Sequence, residues 1–377
     1  EAELLIGAKR MTEAVQKPGQ SVLHEYRSER IVEYIKAHPE YRTVAIALSG
    51  DVGFYSGAKK LVDLLEGNVE VICGISSVVY FMAKIGFSWD DAKIVSAHGR
   101  KCNLVSLIRH NPKVFSILGT EDGVASLAKK LVYYGMGEVI LYVGENLSYE
   151  NEKIFHDKAE NLTEYRGDAL SVVTAYNEEA TPLSAVHGIR DEEFLRGKAP
   201  MTKEEVRTVS LSKLCIAEDS VCYDVGAGTG SVSIEMALRA WNGEVYAIEK
   251  KEDALGLLKE NRQKFAVDNL KIIPGTAPEA MMELPVPTHA FIGGSSGNMN
   301  EIVKLLLEKN PEVRIVINCI TLETVTEAMN AIRDFNLTDV DIVQLGAARS
   351  KTVGRYHMMM GENPIYIISC RGRGEEV

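Results

Sequence analysis

Val221-Cys-Tyr-Asp224-Val-Gly226-Ala-Gly228-Thr-Gly230-Ser231-Val-Ser-Ile-Glu-Met-Ala237, followed by Glu244-Val-Tyr-Ala-Ile-Glu249-Lys250, is the stretch whose reading decides the fold. A short apolar run ends at Asp224 and gives way to three glycines at alternate positions. Ser231 then opens a segment with a broad apolar face: Val232, Ile234, Met236, Ala237 and Leu238. These patterns predict strand, tight turn and helix in succession. Glycine supplies positive φ in such a turn and lets a ligand approach where a Cβ would block it. A second predicted strand, 244–248, ends at Glu249, where a carboxylate is placed to receive ribose hydroxyls.

In a dinucleotide-binding Gly-x-Gly-x-x-Gly turn the third glycine would fall at residue 231, which is Ser231. An NAD oxidoreductase is therefore disfavoured. The observed Asp-x-Gly-x-Gly-x-Gly, with an acidic end to the next strand, resembles the S-adenosylmethionine (SAM) site of Rossmann-like methyltransferases. That resemblance implies SAM as cofactor, with Asp224, Gly226, Gly228, Gly230 and Glu249 around it. A glycine-rich turn without a ligand is the alternative, and the matching acidic strand end weighs against it.

Working outward, 377 residues suggest two domains or one large one. The composition, 46% apolar and 25% charged, is that of a soluble globular protein. A formal charge of −11 argues against a nucleic-acid partner, which calls for a basic excess. The six cysteines include no Cys-x-x-Cys pair and no clustered histidine, so neither a metal site nor a disulfide framework is expected, and buried, reduced thiols in a cytoplasmic protein are. No apolar run approaches the roughly 20 residues of a membrane span.

The first half alternates apolar runs with helical stretches. Strands are predicted at 43–48, 69–72, 94–95, 114–118, 139–143 and 172–173, with helices between them, an α/β organisation whose polar loops follow the strand ends. Ser49-Gly50-Asp51 reads equally as a plain turn with Asp51 capping a helix. Taken together, Leu-Ser-Gly-Asp-x-Gly-Phe-Tyr-Ser-Gly (48–57), Gly-Ile-Ser-Ser (74–77), Ala-His-Gly-Arg (97–100) and Glu-Asn-Leu-Ser-Tyr (145–149) resemble the tetrapyrrole methylases of cobalamin biosynthesis that act at C-5 of precorrin-6. Val52 and Cys73 stand where that family usually has proline. The resemblance implies SAM contacts at Ser49, Asp51, Ser76 and Ser77. The family opens with a strand and a glycine-rich loop, and this chain reads as starting after them. The first half is accordingly expected to bind SAM weakly and to methylate C-5 poorly.

An aperiodic stretch around 177–188 marks the boundary between a domain at 1–180 and another at 188–377. In the second, Thr202 to Glu205 reads as a helix capping box, which leaves a ligand role for Thr202 open. Seven strands are predicted, at 221–224, 244–248, 270–273, 289–292, 314–318, 340–343 and 364–369, with two antiparallel strands at the end. Arg-Gly-Lys-x-Pro-Met-Thr-Lys-Glu-Glu-Val-Arg (196–207), the glycine motif, Phe-Ile-Gly-Gly-Ser-x-Gly-Asn (291–298) and Gly-x-Tyr-His-Met (354–358) resemble the C-15 methyltransferases and decarboxylases of the same pathway. This resemblance adds Thr202, Ala277 and Gly293 to the implied SAM contacts; Thr276 departs from a common aspartate. Both halves in this order resemble the fused, decarboxylating C5,15-methyltransferases.

The implied substrate is a tetrapyrrole edged with carboxylates, which a chain of charge −11 has to meet with local positive charge. Arg349, Lys351, Arg355 and His357 form one dense basic loop, and Arg196, Lys198 and Lys203 a second group. Guanidinium forks match carboxylates bidentately; solvated loop charge is the alternative. The catalytic residue for decarboxylation is not identified, since the macrocycle is able to act as its own electron sink. A homo-oligomer without nucleic-acid or membrane partners is expected. An RNA methyltransferase and a non-catalytic SAM-binding protein are the competing readings.

Overall fold

The computed structural model describes residues 2–65, 69–97, 102–182 and 187–374. The chain gathers into two compact units, Glu1–Ala92 with Gly144–Ile154, and Lys93–Val143 with Phe155–Val377.

In the first unit, β1 (Leu4–Gly7) is the middle strand of a parallel sheet in the order β2-β1-β3, with β2 Ser21–His24 and β3 Val44–Ala47. Helices α1 (Lys9–Val15), α2 (Ser28–Ala37), α3 (Ala58–Leu64) and α4 (Ser77–Ile85) accompany it. Leu4 and Ile6 pack with Ile31, Val32 and Leu61. Neither β1 nor β2 was expected from the sequence, whereas the strand expected at 69–72 is absent. Val69, Val71 and Ile72 lie exposed instead. A β-branched run becomes a strand only where a neighbouring backbone completes its ladder.

The second unit begins with a five-stranded sheet, order β4-β5-β8-β6-β7. Its strands are β4 Lys93–Ser96, β5 Lys113–Ile117, β6 Ile140–Glu145, β7 Lys153–Lys158 and β8 Ser171–Tyr176. Helices α5 (Leu104–His110) and α6 (Gly123–Tyr133) cover it with Leu104, Ile108, Leu127 and Leu131. The His-Gly-Arg portion of the 97–100 motif lies outside the described residues.

After α7 (Glu204–Leu214) the chain lays down β9 Val221–Val225, α8 Ser231–Arg239, β10 Glu244–Glu249, α9 Glu252–Lys264, β11 Leu270–Pro274 and β12 His289–Ile292. It continues with α10 Met299–Lys309, β13 Arg314–Cys319, α11 Leu322–Asp334, β14 Thr338–Leu345, β15 Ala348–Val353, β16 Tyr356–Gly361 and β17 Ile365–Arg371. Seven of these strands form one sheet in the order β11-β10-β9-β12-β13-β17-β14. All seven predicted strands are present. Of the seven only β17 is reversed; it pairs antiparallel with β13 and with β14, and β14 and β17 are the antiparallel pair expected at the end.

Side-chain alternation explains why the sheet is buried on both faces. Cys222, Val245, Ala247, Phe291 and Val316 enter one core, and Tyr223, Tyr246, Ile248, Ala290, Ile292 and Ile317 the other. Apolar residues at every position, not every second one, mark a sheet covered by helices on both sides. Each such side chain contributes about 1.5–3 kcal/mol on burial. The strand order reverses direction between β9 and β12, and in open α/β sheets the crevice at that point, beyond the strand carboxyl ends, is where ligands sit.

Two further differences from the sequence reading concern the surface. Residues 349–357, expected as a loop, belong to the β15–β16 hairpin, paired from Ala348↔Gly361 to Val353↔Tyr356. Cys73 and Cys215 are exposed and Cys102 is half-buried, so burial of all six thiols holds only for Cys222, Cys319 and Cys370. Among the described residues no helix is long and apolar enough to cross a membrane.

Candidate functional site

The glycine loop lies between β9 and α8, at the sheet's switch point. Gly226, Gly228 and Gly230 all have positive φ, at 77°, 55° and 83°. All three also sit in close approaches, Gly230 to the Leu258 side chain and the other two to backbone. A Cβ on Gly226 would stand 2.9 Å from the backbone nitrogen of Gly294, in the loop after β12. One on Gly228 would stand 2.8 Å from the Pro200 carbonyl oxygen. Protein backbone therefore occupies the space a side chain would need, and the loop is compressed between 200 and 294.

Around it is a cavity of about 210 Å³. Pro200, Gly226, Gly228, Glu249, Ala277 and Gly293 are among its walls, as are Lys250 and Ser296. Most of the SAM contacts implied for the second half thus converge. Glu249, buried at the end of β10, accepts hydrogen bonds from the Gly228 N–H at 2.8 Å and from the Lys250 and Lys251 N–H groups at 2.8 and 2.9 Å. A carboxylate offers about four acceptor positions. Three are used by backbone, leaving room for one ribose hydroxyl while the loop keeps its bond; a hydroxyl pair would have to displace Gly228.

Asp224 stands apart from this cavity. It is 1% exposed, not among the cavity-lining residues, and accepts from the Ser233 hydroxyl through Oδ2, while Oδ1 has no partner. Burial pushes its carboxyl up to about 7; the Ser233 bonds oppose this and the charge of Glu249 adds to it. Its place is behind the loop.

Thr202 lies just after Pro200, but the expected capping box does not form. Helix α7 starts at Glu204 with Lys203 as N-cap and no side-chain cap. Glu205 turns instead to Arg349, 2.8 Å away, and Glu204 joins it at 3.2 Å. The Thr202 carbonyl accepts from Arg207 at 2.6 Å. Arg349, expected to meet substrate, is therefore already paired, and the bond to Glu205 pushes its guanidinium upward. Lys351, Arg355 and His357 lie exposed farther along the hairpin; Lys351 and Arg355 have no carboxylate partner among the described residues. Arg196 and Lys198 are exposed on the segment leading to Pro200, Arg196 at 4.0 Å from Glu192.

In the first unit the loops after β3 and before α4 meet. A Cβ on Gly74 would run into the Gly50 carbonyl, which brings Ser49 and Asp51 toward Ser76 and Ser77. Asp51 accepts from the Gly53 N–H at 2.8 Å, a local turn, and Ser76 is the N-cap of α4. Both thus have structural roles whatever they bind.

Sequence reasoning missed three groups at the second site. Lys250 reaches Ser296 at 2.9 Å across the cavity mouth. Arg207 and Asn261 are buried polar side chains whose helical spacing gave no hint of their partners. A second cavity, of about 370 Å³, lies by the start of β10 between Lys130, Lys271, Glu244 and Asp268, and holds none of the expected residues.

A seven-stranded sheet covered on both faces, with a glycine loop and an acidic strand end at its switch point, defines a Rossmann-like methyltransferase. Residues 193–371 match the model of the precorrin methyltransferase domain, and residues 1–163 that of the tetrapyrrole (corrin/porphyrin) methylases. The chain belongs to the precorrin methyltransferase family and is an enzyme of that class. A probable cobalt-precorrin-6B C(15)-methyltransferase (decarboxylating) of Pyrobaculum calidifontis is 43% identical over 189 residues, 49% of this chain and 96% of that protein. The cobalt-precorrin-6B C(15)-methyltransferase (decarboxylating) of Salmonella typhimurium is 40% identical over 185 residues, 48% of this chain and 95% of that one. Among solved structures, a precorrin-6y C5,15-methyltransferase from Geobacter metallireducens is 39% identical, covering 50% of this chain and 98% of its own, with a TM-score of 0.47.

Proposed function

We propose that this chain methylates a precorrin-6-type tetrapyrrole, with or without cobalt, at C-5 and C-15 and removes the carboxyl of the C-12 acetate, using SAM, in cobalamin biosynthesis. The observation that carries this reading is the cavity formed by Pro200, Gly228, Glu249, Ala277 and Gly293, within the part of the chain similar to decarboxylating C(15)-methyltransferases. The match of residues 1–163 to tetrapyrrole methylases supports the C-5 assignment and a functional boundary near 180–188.

The residues fit SAM. Gly226 and Gly228 expose backbone to the cavity, Glu249 has one acceptor position for a ribose hydroxyl, and Ala277 and Gly293 add small residues to the wall. SAM supplies a methyl group on a sulfonium, already activated toward displacement, so the chain contributes alignment. Decarboxylation leaves an electron pair on the acetate methylene, which the conjugated macrocycle takes up before a proton completes the methyl group. Lys351, Arg355 and His357 on the hairpin, with Arg196 and Lys198, are the groups for the substrate carboxylates; Arg349 anchors the hairpin to α7 instead. The exposed Val353, Tyr356, Met358, Met359 and Met360 of the same hairpin support a homo-oligomer.

The test is incubation with labelled SAM and a precorrin-6 mixture, followed by mass analysis. Addition of methyl groups with loss of carbon dioxide is expected. SAM binding without turnover on any tetrapyrrole would make the chain a sensor, and methylation of transfer RNA would move it to another class.

A further inference from the structure

The segment 188–202, which ends in the cavity wall at Pro200, has little regular structure beyond one short turn at Asp191–Glu193. It is held by two buried polar hubs. Arg207, fully buried on α7, donates through Nε to Glu235 at 2.5 Å and through Nη1 to Asp191 at 3.3 Å and the Thr202 carbonyl at 2.6 Å; Nη2 donates to the Ile189 carbonyl. Glu235, on α8, accepts in turn from the Gly188 and Ile189 N–H groups at 2.7 and 3.1 Å. Burial raises the Glu235 carboxyl, and the charge and hydrogen bond of Arg207 oppose the rise.

The second hub is Asn261, fully buried on α9. Its Oδ1 accepts from the Leu195 N–H at 2.7 Å, and its Nδ2 donates to the carbonyls of Leu195 and Thr229, each at 3.0 Å. Thr229 lies inside the glycine loop. One side chain therefore ties the strap to the loop, while the other ties the strap's end, at Thr202, to the helix that follows the loop. Neither lines the cavity.

We propose that Arg207 and Asn261 are positioning residues for cofactor binding: they hold strap and glycine loop at the separation that makes the cavity. This inference rests on the reading of that cavity as the SAM site. Gly228 is where the two meet, and a small shift of either backbone changes the wall at Pro200 and the direction of the Gly228 N–H toward Glu249.

The test uses the full chain with Asn261→Asp, which keeps an acceptor for Leu195 but lacks the amide donor, and Arg207→Lys, which cannot reproduce the guanidinium fork. SAM Kd and KM are expected to rise about tenfold while kcat at saturating SAM stays within about twofold. Amides 226–230 of the ligand-free variants are expected to exchange hydrogen faster than in the wild type. A variant with a lower melting temperature but wild-type SAM Kd and loop exchange overturns the proposal, because the hubs would then serve stability alone. Wild-type protein that binds no SAM overturns the cofactor reading, and loop exchange still decides whether the hubs hold the loop. Should both variants fail to fold, Lys264→Met removes an exposed tie to the Glu193 carbonyl and is read in the same way, with smaller effects expected and none overturning the proposal.

Discussion

Glu249→Gln offers the sharpest probe of the cavity. In the native protein the carboxylate collects three backbone N–H groups, one of which, Gly228, belongs to the glycine loop. A glutamine oxygen is able to keep the Lys250 and Lys251 pair, but its amide then faces the Gly228 N–H, donor against donor. One charge-assisted bond is lost, and the acceptor position open to a ribose hydroxyl, on the same oxygen as the Gly228 bond, is replaced by an N–H donor. Hydrogen bonds to charged groups contribute about 1.5–3 kcal/mol each. SAM affinity should therefore fall by about 10- to 150-fold. The seven-stranded sheet should persist, because Glu249 terminates β10 and is absent from both apolar cores. Calorimetric titration with SAM, beside circular dichroism of the same sample, separates the effects. A Kd within about twofold of wild type would refute a ribose contact at Glu249 and the one-position acceptor count behind it.

Replacing Lys351 and Arg355 with alanine should raise the tetrapyrrole KM and flatten its salt dependence with SAM binding intact; Arg349→Ala should loosen the hairpin base, and equal salt effects from all three would contradict their different partners. Asp224 should leave a pH signature. Its carboxyl sits at about 7 when folded against an ordinary 3.8, so the folded state binds the extra proton between those values and stability falls as pH rises through the window. Each unit contributes up to about 1.4 kcal/mol. His289, lowered by burial to about 4, acts in the opposite direction between there and 6.5, so the wild-type slope alone is uninformative. The contrast is Asp224→Asn: urea unfolding at about pH 5 and about pH 8 should show the variant gaining on wild type by about 2–3 kcal/mol, and no relative gain would mean that Asp224 stays ionised. Phe291→Ala, emptying a fully buried position on β12, should cost about 3–5 kcal/mol in denaturant unfolding; a cost below about 1 kcal/mol would show that the core collapses into the gap.

What was legible in the sequence was what neighbours in the chain decide. The run from Asp224 through Gly230 to Glu249 announced strand, turn, helix and strand because each step has its own local pattern, and the cavity formed at its strand ends. Glu249 ends β10 and lines the cavity, the position its place in the sequence suggested. Asp224, next to the same motif, lies outside that cavity, because the side of a strand on which a residue falls depends on register. The Thr202–Glu205 box failed for a longer-range reason: Arg349, 144 residues away from Glu205, takes the carboxylate the cap required. The run at 69–72 has strand composition and no ladder, whereas Leu4–Gly7 has two ladders and only four residues to signal them.

Arg207 and Asn261 were invisible for the same reason. A charged or amide residue on a helix reads as a solvated face, and nothing nearby in sequence distinguishes it from one that bonds the backbone 66 residues upstream. Such residues are costly to bury unless every donor and acceptor is met. Main-chain groups of an irregular segment can meet them, because those groups are in no helix or sheet and need partners of their own. The strap at 188–202 and the two hubs thus satisfy each other. That exchange explains how a segment with almost no secondary structure holds a wall of the cavity, and why its position is set from the helices behind it and not from its own sequence.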